Sequence, residues 1–184
     1  MRRWIVTALG QDRPGIVAGV TKVLYEAGCN LEDSAMSRLE GEFVIMLIFS
    51  SPHPLTHAWL QRAFQAVARR LDLTIHLKPL PQREAASPRQ RGRTCVVSVY
   101  GADRPGIVFR MTQALAKVRA NITDLKTHRS AGRVSRAHPS LYLVFLEVEV
   151  PAWVSLATVS RVLTQLARSL GVQVSVRKAG AELL

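Results

Sequence analysis

Apolar positions along this chain follow two rhythms, and each rhythm is used twice in the same order. Residues 4–9 and 95–100 are short, β-branched-rich runs closed by glycine, a pattern that predicts strands. Next come apolar stripes at a 3.6-residue period: Ile16, Val17, Val20, Val23, Leu24 and Ala27, then Ile107, Val108, Met111, Leu115 and Val118. Each predicts a helix, with Gly28 a natural stop for the first. A strand starting near Leu31 or Ile122 turns back into "FVIMLIF" (43–49) or "LYLVFLEVEV" (141–150), which Pro52 and Pro54, or Pro151, bring to an end. A second helix shows Leu60, Phe64, Val67 and Leu71, or Leu156, Val159, Leu163, Leu166 and Leu170. The alternating runs "LTIHLK" and "VQVSVR" end the series as half-buried strands.

The order is βαββαβ, twice. It implies an α+β chain of two ferredoxin-like modules, each an antiparallel sheet with both helices on one face. Right-handed crossovers place the first and third strands of each module at the sheet centre. The run at 43–49 is apolar on both faces of its pleat, so the face without helices calls for a cover, from the sister module or another chain.

The two halves align residue by residue. "DRPGIV" begins at Asp12 and again at Asp103, an offset of 91 that also pairs Thr21 with Thr112, Leu24 with Leu115, Asn30 with Asn121 and Asp33 with Asp124. By residues 71–73 and 170–172 the offset is 99, so the second half carries 8 extra residues. They fall best between its second and third strands, where "HRSAGRVSRAHPS" (128–140) replaces a tight turn at 39–42. Between the halves, "PLPQREAASPRQRGR" (79–93) reads as an exposed, stiff linker. The expected organisation is a module at 1–79, a linker at 80–93 and a module at 94–184.

A net charge of +12 raises nucleic-acid binding as a function class. Its distribution weighs against that: +2 over residues 1–79, +3 over 80–93 and +7 over 94–184, with aromatics at 6% and no helix-turn-helix pattern. No apolar run approaches the roughly 20 residues of a membrane helix, and the first residues lack a secretory h-region, which leaves the cytoplasm as the expected compartment. Cys29 and Cys95 are isolated and read as free thiols packed as small hydrophobes. His53 and His57 have helical metal spacing, but nearby prolines argue against a helix, and neither a metal nor a cofactor is expected. Nucleophile sets, a Walker loop and GxGxxG are all missing, so the chain is expected not to be an enzyme. Glu32, Asp33 and Asp124 read as lone, solvated carboxylates.

Chemistry concentrates at the repeated turn. Asp12 and Asp103 stand where an N-cap belongs, Pro14 and Pro105 suit a first helical turn, and Gly15 and Gly106 admit a close approach by ligand or backbone. Unpaired N–H groups at such a terminus attract a small carboxylate. The same residues also fit a merely well-capped helix start. Asn30 and Asn121 fit either an amide that binds a ligand or a turn asparagine with left-handed geometry. The 128–140 loop, with Arg129, Arg133 and Arg136, reads either as a solvated loop or as a docking element for an acidic protein surface.

The stretches "ALGQDRPGIVAGVTKVLYEAGCNLEDSAMSRLEGEFVIML" and "SVYGADRPGIVFRMTQALAKVRANITDL" resemble ACT domains, small βαββαβ regulatory modules that bind amino acids. Their tandem arrangement, with "ALGQDRPGIV" and "CNLEDS" in the first, is most similar to the glycine cleavage system transcriptional repressor family. That resemblance implies a ligand site at Gly10, Asp12 and Gly15, or at Gly101, Asp103 and Gly106, completed by Asn30 or Asn121. It implies crossed half-sites, with each loop facing the asparagine of the other module. The function it implies is amino-acid sensing, with glycine or another small amino acid as ligand and a transcriptional activator as the protein partner. A regulatory module like the one that opens formyltetrahydrofolate deformylases is the alternative, and direct nucleic-acid binding is another.

Overall fold

The computed structural model describes residues 2–81, 92–130 and 140–179, and the chain divides into two compact units, Met1–Ser87 and Pro88–Leu184. Unit 1 contains β1 (Arg2–Gln11), α1 (Ile16–Glu26), β2 (Asn30–Leu39), β3 (Glu42–Ser51), α2 (His57–Leu71) and β4 (Thr74–Leu80). Unit 2 repeats the order with β5 (Arg93–Ala102), α3 (Ile107–Lys117), β6 (Asn121–Arg129), β7 (Leu141–Val150), α4 (Leu156–Leu170) and β8 (Val172–Lys178). The strands lie in the order β2-β3-β1-β4 and β6-β7-β5-β8, antiparallel throughout. The first and third strands are central, as the crossover rule requires.

Pleating explains the core. In unit 1, Trp4, Val6 and Ala8 on β1 and Ile45, Leu47 and Phe49 on β3 point to the helix side, against Val20 and Leu24 of α1 and Leu60 and Phe64 of α2. In unit 2, Cys95, Val97 and Val99 meet Leu146, Val148, Met111, Leu115 and Leu163 in the same way. Residues between these alternate to the other face, where Leu9 and Met46 stay 46% and 45% exposed. Val17, placed in the apolar stripe of α1 by period alone, is exposed because it follows directly on the helix start and faces away from the sheet.

Helix ends repeat too, with one telling asymmetry. Thr56 and Ser155 cap α2 and α4, their hydroxyls accepting from the N–H groups of Trp59 and Thr158. Asp72 and Gly171 end the same helices in left-handed conformations. Both prolines before α2 precede its cap, so His57 opens a helix after all, whereas His53 lies outside it. No group of three metal-ligating side chains occurs among the described residues, and none of their helices is long and apolar enough to cross a membrane.

Several expectations need correction. Strands take the ends of the expected linker, since Leu80 belongs to β4 and Arg93 to β5; residues 82–91 lie outside the described residues. The basic loop loses His128 and Arg129 to β6, and Arg133, Arg136 and His138 lie outside the described residues. The carboxylates read as lone are engaged: Glu32 pairs with Arg3 at 2.7 Å, and Asp33 accepts from the Ser34 N–H. Asp124 pairs with Lys126 at 2.8 Å, which holds its carboxyl below the usual range. Both cysteines are free, and burial pushes both thiols up, away from the reactive thiolate.

Phe64 is fully buried and its ring centroid lies 6.4 Å from that of Phe49. Phe64→Ala is expected to destabilise unit 1 by about 3–5 kcal/mol, read as a lower denaturation midpoint in urea.

Candidate functional site

In each unit a central strand hands the chain to a helix through Asp-Arg-Pro-Gly. The structure moves the helix start three residues beyond the expected cap. Gly15 and Gly106 are the N-cap residues, with φ/ψ of 93/−5° and 92/−4°, and neither helix has a side-chain cap. These angles belong to the third position of a type II turn, which favours proline just before and glycine there. The Pro-Gly pair therefore spends itself on the turn, and α1 and α3 begin only at Ile16 and Ile107. Their first-turn N–H groups donate to no capping side chain and lie at the positive end of the helix. By contrast, α2 and α4 are capped. In both units the helix after the motif is left without a side-chain cap, and the other helix is capped by a hydroxyl from outside it.

Asp12 and Asp103, freed from capping, look across to the second strand. Arg38 Nη1 donates to Asp12 Oδ2 at 3.1 Å, and Arg129 Nη1 lies 3.5 Å from Asp103 Oδ2. Both arginine side chains are about 70% exposed and both aspartates 30%. The backbone pins the same place, with Asp12 N–H on the Gly41 carbonyl and Asp103 N–H on that of Ser140. Arg129 thus stands on β6 beside the turn. The sequence reading missed Arg38, although Arg38 and Arg129 stand at the same 91-residue offset as the aspartates they meet. In unit 2 this corner opens into a cleft of ≈ 460 Å³ lined by Asp103, Gly106, Val108, Arg129 and Tyr142 among others.

Of the remaining expected residues, the glycines adjoin the corner and the asparagines do not. Gly10 and Gly101 answer to packing: a Cβ at Gly10 would come within 2.8 Å of the Asp72 carbonyl oxygen, and one at Gly101 within 2.7 Å of Val172 Cγ1. Asn30 sits beside Ser50, itself opposite Arg3, while the loop leaves β1 at Gln11. Eight strand positions, about 27 Å, separate those ends. Asn121 is likewise across from Glu149 and Thr94, at the far end of its sheet from Ala102. Within a unit, therefore, loop and asparagine do not meet. The left-handed alternative for the asparagines also falls, since Gly28 and Arg119 take that conformation, at φ 62° and 56°, two residues earlier.

Comparison with known proteins places the whole chain. The ACT domain family model matches residues 2–78 and 93–177. The glycine cleavage system transcriptional repressor of Escherichia coli (strain K12) is 35% identical over 135 residues, covering 72% of this chain and 68% of that protein. A crystal structure of an unknown protein from Galdieria sulphuraria has a TM-score of 0.81 at 25% identity, covering 97% of this chain and 98% of the other. A second structure, provisionally named a glycine cleavage system transcriptional repressor, has a TM-score of 0.68 at 22% identity and 96% coverage of both, and shares the fold.

A side chain at Gly15 or Gly106 meets nothing within 4 Å, so only the positive φ resists substitution. Gly15→Ala and Gly106→Ala are each expected to cost about 1–2 kcal/mol of stability with the fold kept, measured by urea denaturation and far-UV circular dichroism.

Proposed function

The chain belongs to the ACT domain family, and from that premise we propose that it is a non-catalytic regulatory protein that senses a small amino acid at its two Asp-Arg-Pro-Gly corners. The observation that carries this reading is the doubly repeated open helix start beside an Asp–Arg pair. A free amino acid presents a carboxylate and an ammonium a few ångströms apart. The uncapped N-terminus of α1 or α3 suits the carboxylate, through its N–H groups and its positive end. The carboxylate of Asp12 or Asp103 suits the ammonium.

An exposed ion pair contributes about 0–1 kcal/mol, so a zwitterion exchanges readily for the arginine. Release of Arg38 or Arg129 then alters the second strand, a route by which ligand occupancy reaches a partner protein. The N-terminal turn, with glycine at its entrance, favours glycine or another small amino acid. Asn30 and Asn121 complete a site only through a neighbouring ACT module, because their own loops are out of reach. Kinship with a transcriptional repressor supports control of transcription, and the partner we propose is a transcriptional activator. In each unit both helices are committed to covering the sheet, which favours protein contact over insertion into DNA.

A ligand that binds only the folded state raises its melting temperature. In a thermal-shift screen of the twenty amino acids, glycine is expected to stabilise the chain. The paired variant Asp12→Asn/Asp103→Asn is expected to weaken that binding by about ten- to hundredfold, or about 1.5–3 kcal/mol, through loss of charge-assisted hydrogen bonds. If none of the twenty moves the transition, the sensing role is wrong; turnover of an amino acid or a formyl-folate would show an enzyme instead.

A further inference from the structure

Acidic residues in the described part of unit 2 are kept off its helix layer. Its helix layer, from α3 through the following turn and along α4, carries Arg110, Lys117, Arg119, Arg161 and Arg168, all exposed, and not one acidic residue. The acids of the described part of the unit lie on the β5–α3 loop, β6 and β7. Glu147 and Glu149 alternate with buried Leu146 and Val148, so they point to the face without helices.

Between α3 and α4 runs a groove of ≈ 500 Å³. Ala114, Val118, Val162 and Leu166 form its apolar floor, and Arg110 and Lys117 stand on its wall.

Unit 1 offers an internal control on the same backbone. At the offset of 91, Gly19 replaces Arg110 and Glu26 replaces Lys117. A Cβ at Gly19 would lie 2.8 Å from Leu71 Cδ1, so α1 and α2 close together there. Glu26 is paired internally with Lys22 at 3.5 Å, and Trp59 lines the groove. The groove of the first module, ≈ 400 Å³, thus mixes Glu26 with Lys22 and Arg70, whereas that of the second, ≈ 500 Å³, carries basic residues and no acid.

We propose that the α3–α4 groove of unit 2 is a docking site for an acidic amphipathic helix of a partner protein. The apolar floor takes the partner's apolar stripe, and the basic wall takes carboxylates flanking that stripe. α3 has 11 residues, which makes the groove about 16 Å long and suits a partner helix of about three turns. Nucleic acid is the poorer match: its phosphates would use the arginines but leave an aliphatic floor with no aromatic platform for bases. This proposal stands whether or not an amino acid binds at the Asp-Arg-Pro-Gly corners.

The test uses the whole chain and a fluorescein-labelled peptide of about 11 residues, three helical turns, with leucines at i, i+3, i+4 and i+7 and glutamates flanking them. Saturable binding by fluorescence anisotropy is expected, with amide shifts in a heteronuclear NMR titration confined to α3 and α4. Lys117→Glu is expected to weaken binding by about tenfold or more, roughly the 1.4 kcal/mol of one decade. Lys117→Gln, which removes the charge without reversing it, is expected to fall between. Arg62→Glu on α2 is expected to leave binding unchanged. Absence of saturable binding would overturn the proposal. So would equal affinity for a peptide with lysine in place of glutamate, full binding by Lys117→Glu, or displacement of the peptide by a short DNA duplex.

Discussion

Everything in each module depends on a central strand that must cross its sheet through a helix lying on one face only. β1 and β5 are paired on both sides, so the chain leaving them has no edge to follow and must turn sharply upward. Pro14-Gly15 and Pro105-Gly106 make that turn at φ near +92°, a region that costs other residues about 1–2 kcal/mol. Because the turn consumes the motif, no side chain remains to cap the helix that follows. The open helix start is thus a by-product of the topology, and it lies next to the one carboxylate the motif retains.

Duplication makes this more than a local accident. A single uncapped helix start has many explanations, but here two units agree in turn angles, in the Asp–Arg pairing and in the contrast with their capped second helices. They diverge elsewhere. Glu26 and Lys117 occupy equivalent places with opposite charge, and the closely packed Gly19 has an exposed arginine as its counterpart. Under the proposed sensing role, the matched corners would read the same signal and the unmatched surfaces would let one module report it.

Periodicity revealed most of the fold. The apolar stripes of four helices, the apolar runs of the central strands and the alternation of the last strand in each unit are local signals, and the 91-residue offset told which segments must match. What stayed hidden was set by distant partners. Asp12 looks locally like a cap, and only the β2–β3 hairpin, which returns Arg38 to it, shows otherwise. Gly10 looks like a ligand-binding glycine until the Asp72 carbonyl arrives beside it from the far end of α2. Nothing about Arg119 suggests a left-handed backbone except its alignment with Gly28. Asn30 and Asn121 were recognisable as strand openers, but the sheet register that carries each about 27 Å from its loop follows from antiparallel pairing rather than from any residue near them.

The central claim is that each Asp-Arg-Pro-Gly corner recognises both charged ends of one small amino acid. Isothermal titration calorimetry of the intact chain tests it most directly, with glycine compared against glycinamide, which keeps the ammonium but lacks the carboxylate. The expected result is two glycine molecules bound per chain and no measurable binding of glycinamide. Glycinamide binding as tightly as glycine, or no heat with either compound, would contradict the claim.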